Sequence, residues 1–258
     1  MTIRRALAVL TGLALLVTTG CTSDERPDRS DDNRTVTVFA AASLTESFTT
    51  IGREFEATHP GVRVAFTFGG SSALATQITQ GAPADVFAAA APRNMATVTE
   101  AGAAAGTPVV FARNQLVIAV PKGNPGRVRR LADLGRRGMK VAICAEQVPC
   151  GAAARAALDA SGIDLVPATL EQDVKGALAK VRLGEVDAAL VYRTDARATA
   201  EVDGIEFPES ARAINDYPIV ALREARDPAT ARAFVDLVSS ARGAAMLTAA
   251  GFQPPAGS

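Results

Sequence analysis

The sequence predicts an α/β protein of two lobes with a ligand cleft between them. Strand-like and helix-like stretches alternate from Thr35 onward, and a second such set begins near Asn114. The composition suits tightly packed layers: of 258 residues 48% are apolar but only 5% aromatic, so small Ala and Val side chains dominate. Two units of about a hundred residues each, a common domain size, imply that the chain crosses twice, near 110–115 and 213–217.

In the first unit "TVTVFAAAS" from Thr35 reads as a buried strand ending in small residues. Leu44, Phe48, Ile51 and Phe55 then recur at helical spacing, and "HPG" at 59–61 breaks that helix. "VRVAFTF" alternates Val62, Val64, Phe66 and Phe68 as a strand does. A helix from about Ser72 to Gln80 and the strand "ADVFAAA" complete a β-α-β-α-β run, which implies parallel pairing with helices on the sheet faces.

The second unit offers "NQLVIAVP" and "KVAIC" as strands, "GAAARAALDASG" and "VKGALAKVRLGE" as helices, and "DAALVYRTDA" as a strand running into a helix or turn. "YPIVALRE" is a further strand, and the stretch from Pro228 to Phe252 supplies one or two closing helices. The expected lobes are 35–112 with 216–258, and 113–215.

Ahead of these lies a secretion signal, residues 1–20, with Arg4 and Arg5 before an apolar run from Ala6 to Val17 that is short for a membrane span. Cys21, after Thr18-Thr19-Gly20, resembles the acylated cysteine of a bacterial lipobox, although Thr18 stands where leucine is usual. Residues 21–34 are polar and charged and read as a lipidated tether, which puts the lobes on the extracytoplasmic face of the cell membrane. With Cys21 assigned to lipid, an oxidising compartment favours a disulfide between Cys144 and Cys150.

Several function classes are disfavoured. Lys plus Arg and Asp plus Glu balance at 27 each, which argues against nucleic-acid binding. No His pair, Cys/His cluster or alternating Asp run suggests a metal, and no phosphate-loop or dinucleotide fingerprint suggests a cofactor. "GGSSA" at 69–73 approaches the nucleophile elbow of a serine hydrolase, making Ser71 the candidate nucleophile of that alternative. It lacks the final glycine, and His59, the only histidine, precedes the serine in the chain and is expected to face solvent. No enzyme is expected.

Four places share another grammar, in which a helix opens on small or polar residues: Ser43, Ser71, Cys150-Gly151 and Asp173-Val174. Each offers N–H groups with no intrahelical partner and the positive end of a helix dipole; the plainer reading is that Ser43 and Ser71 are N-caps.

"VTVFAAASLTESF", "FGGSSALATQITQGAPADVFAAA", "VPCGAAARAAL", "EQDVKGALAKV" and "ALVYRTDA" together closely resemble the periplasmic molybdate-binding proteins of ABC importers, from about Thr35 to Phe252. The resemblance implies a type II periplasmic binding protein, two α/β lobes joined by two crossover strands. It implies that an oxyanion is held by hydroxyl and N–H of Ser43 and Ser71, by the N–H groups of Cys150 and Val174, and by the hydroxyl of Tyr192. Partners implied are an ABC permease with its cytoplasmic ATPase, the receptor being monomeric. Cys150 replaces an alanine, Arg193 stands where glycine is frequent, and Ala73 replaces threonine or serine. Arg193 and Lys175 are expected to be solvated, and Asp173 to cap its own helix.

A site of donors alone fits a fully deprotonated tetrahedral dianion such as molybdate or tungstate. Each helix start contributes about half a positive charge, so roughly four of them approach the ligand's charge without a buried salt bridge. Charge does not separate molybdate from sulfate, which leaves the same fold tuned to another oxyanion as the alternative.

Overall fold

The computed structural model describes residues 34–257. The signal segment, Cys21 and almost all of the expected tether lie outside the described residues. Arg34, expected in the tether, instead begins the first strand and pairs with Asp227 at 3.6 Å.

Strand β1 (Arg34–Ala41) lies between β2 (Val62–Gly69) and β3 (Val86–Ala88), parallel to both. β10 (Asn215–Ala221) and β4 (Val109–Asn114) extend this sheet antiparallel, giving the order β2-β1-β3-β10-β4. The second sheet has the order β7-β6-β8-β5-β9, from β5 (Leu116–Pro121), β6 (Val141–Cys144), β7 (Thr169–Glu171), β8 (Ala188–Tyr192) and β9 (Val202–Ile205). Here β6 runs parallel to β7 and β8, while β5 is antiparallel to β8 and β9. The chain leaves the first sheet through β4 directly into β5 and returns through β10, so the paired strands β4 and β10 carry both crossings.

Helices cover the sheets because their apolar stripes need burial. α1 (Thr45–Thr58) presents Phe48, Ile51 and Phe55, all fully buried, and Phe48 and Phe55 meet Phe234 of α7 (Pro228–Ser239) edge-on. α8 (Ala241–Ala249) follows α7 after Ser240, whose hydroxyl caps it at Gly243 N–H. In the second lobe, α4 (Pro149–Ser161) buries Ala153, Ala154 and Ala157, and α5 (Val174–Arg182) buries Ala177, Leu178 and Val181. Short side chains there let helix and sheet approach closely.

α2 (Ser71–Thr79) starts one residue before its expected position, with Gly70 as its N-cap. Elements without a counterpart in the sequence reading include α3 (Pro92–Glu100), β4, β7, β9 and the 3-10 helices Leu131–Gly135 and Pro208–Arg212. α3 buries only Met95 and Val98 among its apolar residues, too few to set a period, and β7 is three residues at a sheet edge. β9 contains Gly204, whose missing side chain makes room for Ala196 and Val117.

Candidate functional site

The parallel strands of both sheets point their C-terminal ends at one place, where ligands collect in open α/β sheets. β1 delivers Ala41 to Ser43, β2 delivers Gly70 and Ser71, and the chain just beyond β3 delivers Ala90. From the other lobe come Val148 to Cys150 after β6, Asp173 and Val174 after β7, and Tyr192 at the end of β8. Ser43, Ser71, Cys150, Val174 and Tyr192 therefore all line a single cavity of about 10 Å³. That is room for about one water-sized species.

Four of the five stand at helix starts. Ser71 is the first residue of α2, and Val174 the first of α5. Cys150 is the second residue of α4, behind Pro149, which has no N–H. The Cys150 N–H is consequently the first donor that α4 presents. Ser43 sits in a single 3-10 turn, Ala42–Leu44, ahead of α1. Such leading N–H groups have no carbonyl one turn back to bond.

Neither serine caps its own helix. Ser71 Oγ accepts the Ala90 N–H at 2.9 Å, and Ser43 Oγ lies 2.8 Å from the Tyr217 hydroxyl. Tyr192 Oη accepts from Asn215 Nδ2 at 2.8 Å, and the same amide donates to the Ala90 carbonyl at 2.7 Å. Since a hydroxyl has one proton and two lone pairs, filling an acceptor site from the protein leaves the proton to point elsewhere. Ser71 and Tyr192 therefore each keep a proton to donate, and Ser43 keeps one where Tyr217 is the donor of their shared hydrogen bond. Burial pushes both phenols well up from their ordinary range, so they stay neutral donors. The two rings meet edge to face, 6.0 Å apart.

Asp173 is the one carboxylate lining the cavity, and it is engaged on its own helix, accepting the Gly176 N–H at 2.9 Å. Cys144 and Cys150 form a disulfide that ties the first turn of α4 to the end of β6. Gly151 completes this joint: a β-carbon there would run into the Ala145 carbonyl.

Three expectations need correction. Lys175 is not a solvated lysine: its Nζ contacts both Glu46 carboxylate oxygens at 2.8 Å and Asp195 Oδ1 at 3.0 Å. Burial draws its pKa down, but the Asp195 and Glu46 charges outweigh that and leave it raised. Arg193 is bound to Glu206 through two 2.7 Å contacts rather than left to solvent. His59 is half-buried, its ring stacked on Phe55 with centroids 3.9 Å apart.

Asp195 itself, fully buried behind Tyr192, had no sequence signal; burial lifts its pKa to about 6 against the pull of Lys175. Ala90, Asn215 and Tyr217 were also missed. Each touches a cavity hydroxyl; Ala90 closes the "FGGSSALATQITQGAPADVFAAA" motif as one more small residue, and only the polar opening of "NDYPIVA" marks β10 as unusual. As for a nucleophile, the partner of Ser71 Oγ is an N–H donor, which cannot take a proton.

The sequence matches the family model of bacterial extracellular solute-binding proteins over residues 36–253. The molybdate-binding protein ModA of Mycobacterium tuberculosis is 48% identical over 223 residues, which cover 86% of this chain and 85% of that protein. The molybdate-binding protein ModA of Escherichia coli is 34% identical, covering 86% and 90%. Among solved structures, the periplasmic molybdate-binding protein of Azotobacter vinelandii superposes with a TM-score of 0.76 at 20% identity, covering 85% of this chain and 99% of that one. That likeness bears on the fold, two α/β lobes of the periplasmic binding type. Sequence, topology and the convergence of helix starts on one cavity agree, and the chain belongs to the bacterial extracellular solute-binding proteins.

Proposed function

We propose that this protein captures molybdate, and tungstate with it, outside the cytoplasmic membrane and delivers it to an ABC permease driven by a cytoplasmic ATPase. It is a transport component and not an enzyme. One observation carries the reading: the cavity gathers three hydroxyls and four helix starts, and the Ser71 and Tyr192 hydroxyls each have an acceptor position already filled by a protein N–H. A ligand there meets protons, from Ser43, Ser71 and Tyr192, and the leading N–H groups at Ser43, Ser71, Cys150 and Val174. An ion whose four oxygens only accept suits such a site, and the helix starts supply positive potential without an ion pair that must break at release. Cavity size then has to separate molybdate from sulfate.

Calorimetry with molybdate, tungstate, sulfate and phosphate tests the assignment. Tight binding of the first two is expected; binding of sulfate or phosphate without molybdate would overturn it. The receptor acts as a monomer held to the membrane by lipid on Cys21. Replacing Cys21 by alanine is expected to move it from the membrane fraction to the soluble one, and mass spectrometry of the mature N-terminus reads the acyl group directly.

A further inference from the structure

Two cations cross the cleft in opposite directions, one from each lobe. Arg93, on α3 of the first lobe, reaches the second, where its Nη2 donates to the carbonyls of Glu146 at 2.7 Å and Val148 at 3.1 Å. Val148 is the residue on which α4 starts, and it lines the cavity. Lys175, on α5 of the second lobe beside Val174, reaches back to both carboxylate oxygens of Glu46 on α1 at 2.8 Å. Arg93 and Lys175 are absent from the cavity lining, and so is Glu46. Each contact joins an element that borders the cavity on one lobe to a partner on the other, so parting the lobes must break both.

We propose that Arg93 and the Lys175–Glu46 pair form a two-sided clasp that sets how fast a bound oxyanion escapes. They are positioning residues, acting through lobe closure and not on the ion. Arg93 also steadies the chain at Val148, and with it the Cys150 N–H two residues on. Lys175 is held from behind by the buried Asp195 carboxylate at 3.0 Å, which keeps its ammonium at the lobe boundary whether or not Glu46 is engaged. The clasp thus has one fixed jaw and one that swings.

The inference rests on the oxyanion reading above, and the experiment separates the two. Arg93→Gln, Glu46→Gln and the double variant are loaded with molybdate, and loss of the ion into excess tungstate is followed by quenched flow with metal analysis. Glu46 is about half exposed, so its amide variant should fold normally. Each single change is expected to raise the off-rate several-fold and the double by about tenfold or more, with on-rates within about twofold, as for contacts formed after encounter. The melting temperature of the ligand-free protein should stay put. An unchanged off-rate in the double variant would overturn the clasp. So would an effect confined to the on-rate, which would mean that these charges steer the anion in. A wild type that holds sulfate and not molybdate overturns the ligand reading alone; the same off-rate ratio, measured with sulfate, then decides the clasp.

Discussion

Gly70 of one lobe and Gln172 of the other meet across the cleft: a β-carbon on Gly70 would collide with the Gln172 carbonyl oxygen. The Gly70 backbone is ordinary, at φ −63° and ψ 128°, so the requirement for glycine comes from the opposing lobe and not from conformation. Gly70→Ala should therefore leave the ligand-free protein as stable as wild type while weakening molybdate binding by at least about tenfold, since a backbone obstacle at the closing surface cannot swing aside. Calorimetry and thermal melting of the ligand-free protein check the two halves; a lower melting temperature with normal affinity would contradict it.

The hydroxyl donors have measurable worth. Ser43→Ala and Ser71→Ala should each weaken oxyanion binding by about 1 to 3 kcal/mol, the range for losing a hydrogen bond to a charged group. Tyr217→Phe should weaken it less, because Ser43 keeps its hydroxyl and loses only the group that aims it. Wild-type affinity in the double serine variant would place the ligand elsewhere.

The disulfide closes a short loop, Cys144 to Cys150, six positions apart. Replacing both cysteines by serine should lower folding stability by about 2 kcal/mol, as loop-closure entropy gives for a ring this small. Binding should weaken too, because α4 then presents the residue-150 N–H from a turn no longer tied to β6. Urea unfolding and calorimetry on the double variant measure both.

Asp195 predicts a pH dependence of folding. Its pKa is raised from 3.8 to about 6, chiefly by burial and only partly countered by Lys175. The native state then binds this proton more tightly than the unfolded chain does. The stabilisation is complete below 3.8 and is lost as the pH rises through about 6. Asp195→Asn should remove this component, on the order of 3 kcal/mol at most, leaving the opposite slopes of carboxylates such as Asp227 and Asp133, whose pKa values are lowered. The difference between the two urea midpoint profiles isolates it; a difference that grows towards alkaline stability would reverse the sign and refute it.

The parts of the fold that were legible in the sequence are those with a strong local rule. Strand alternation in "VRVAFTF" and the Phe48, Ile51, Phe55 stripe each name their element, because burial on one face forces the spacing. Ser43, Ser71, Cys150 and Val174, four of the five residues around the cavity, were readable because a helix start leaves N–H groups over whatever precedes it, whereas Tyr192 was named only by the family resemblance. What escaped notice was decided at long range. Asn215 approaches Tyr192 from 23 positions away and Tyr217 approaches Ser43 from 174. Asp195 looks like any helix-start acid, and Lys175 like any surface lysine, until α1 and α5 are brought together.

The edge-to-face pair Tyr192–Tyr217 has a practical corollary. These are the only two tyrosines in the chain, which has no tryptophan, so every strongly emitting ring that the protein possesses belongs to this one site. The native ultraviolet emission is a built-in optical probe, and a ligand titration followed by it reads the cavity against a dark background, with no dye attached.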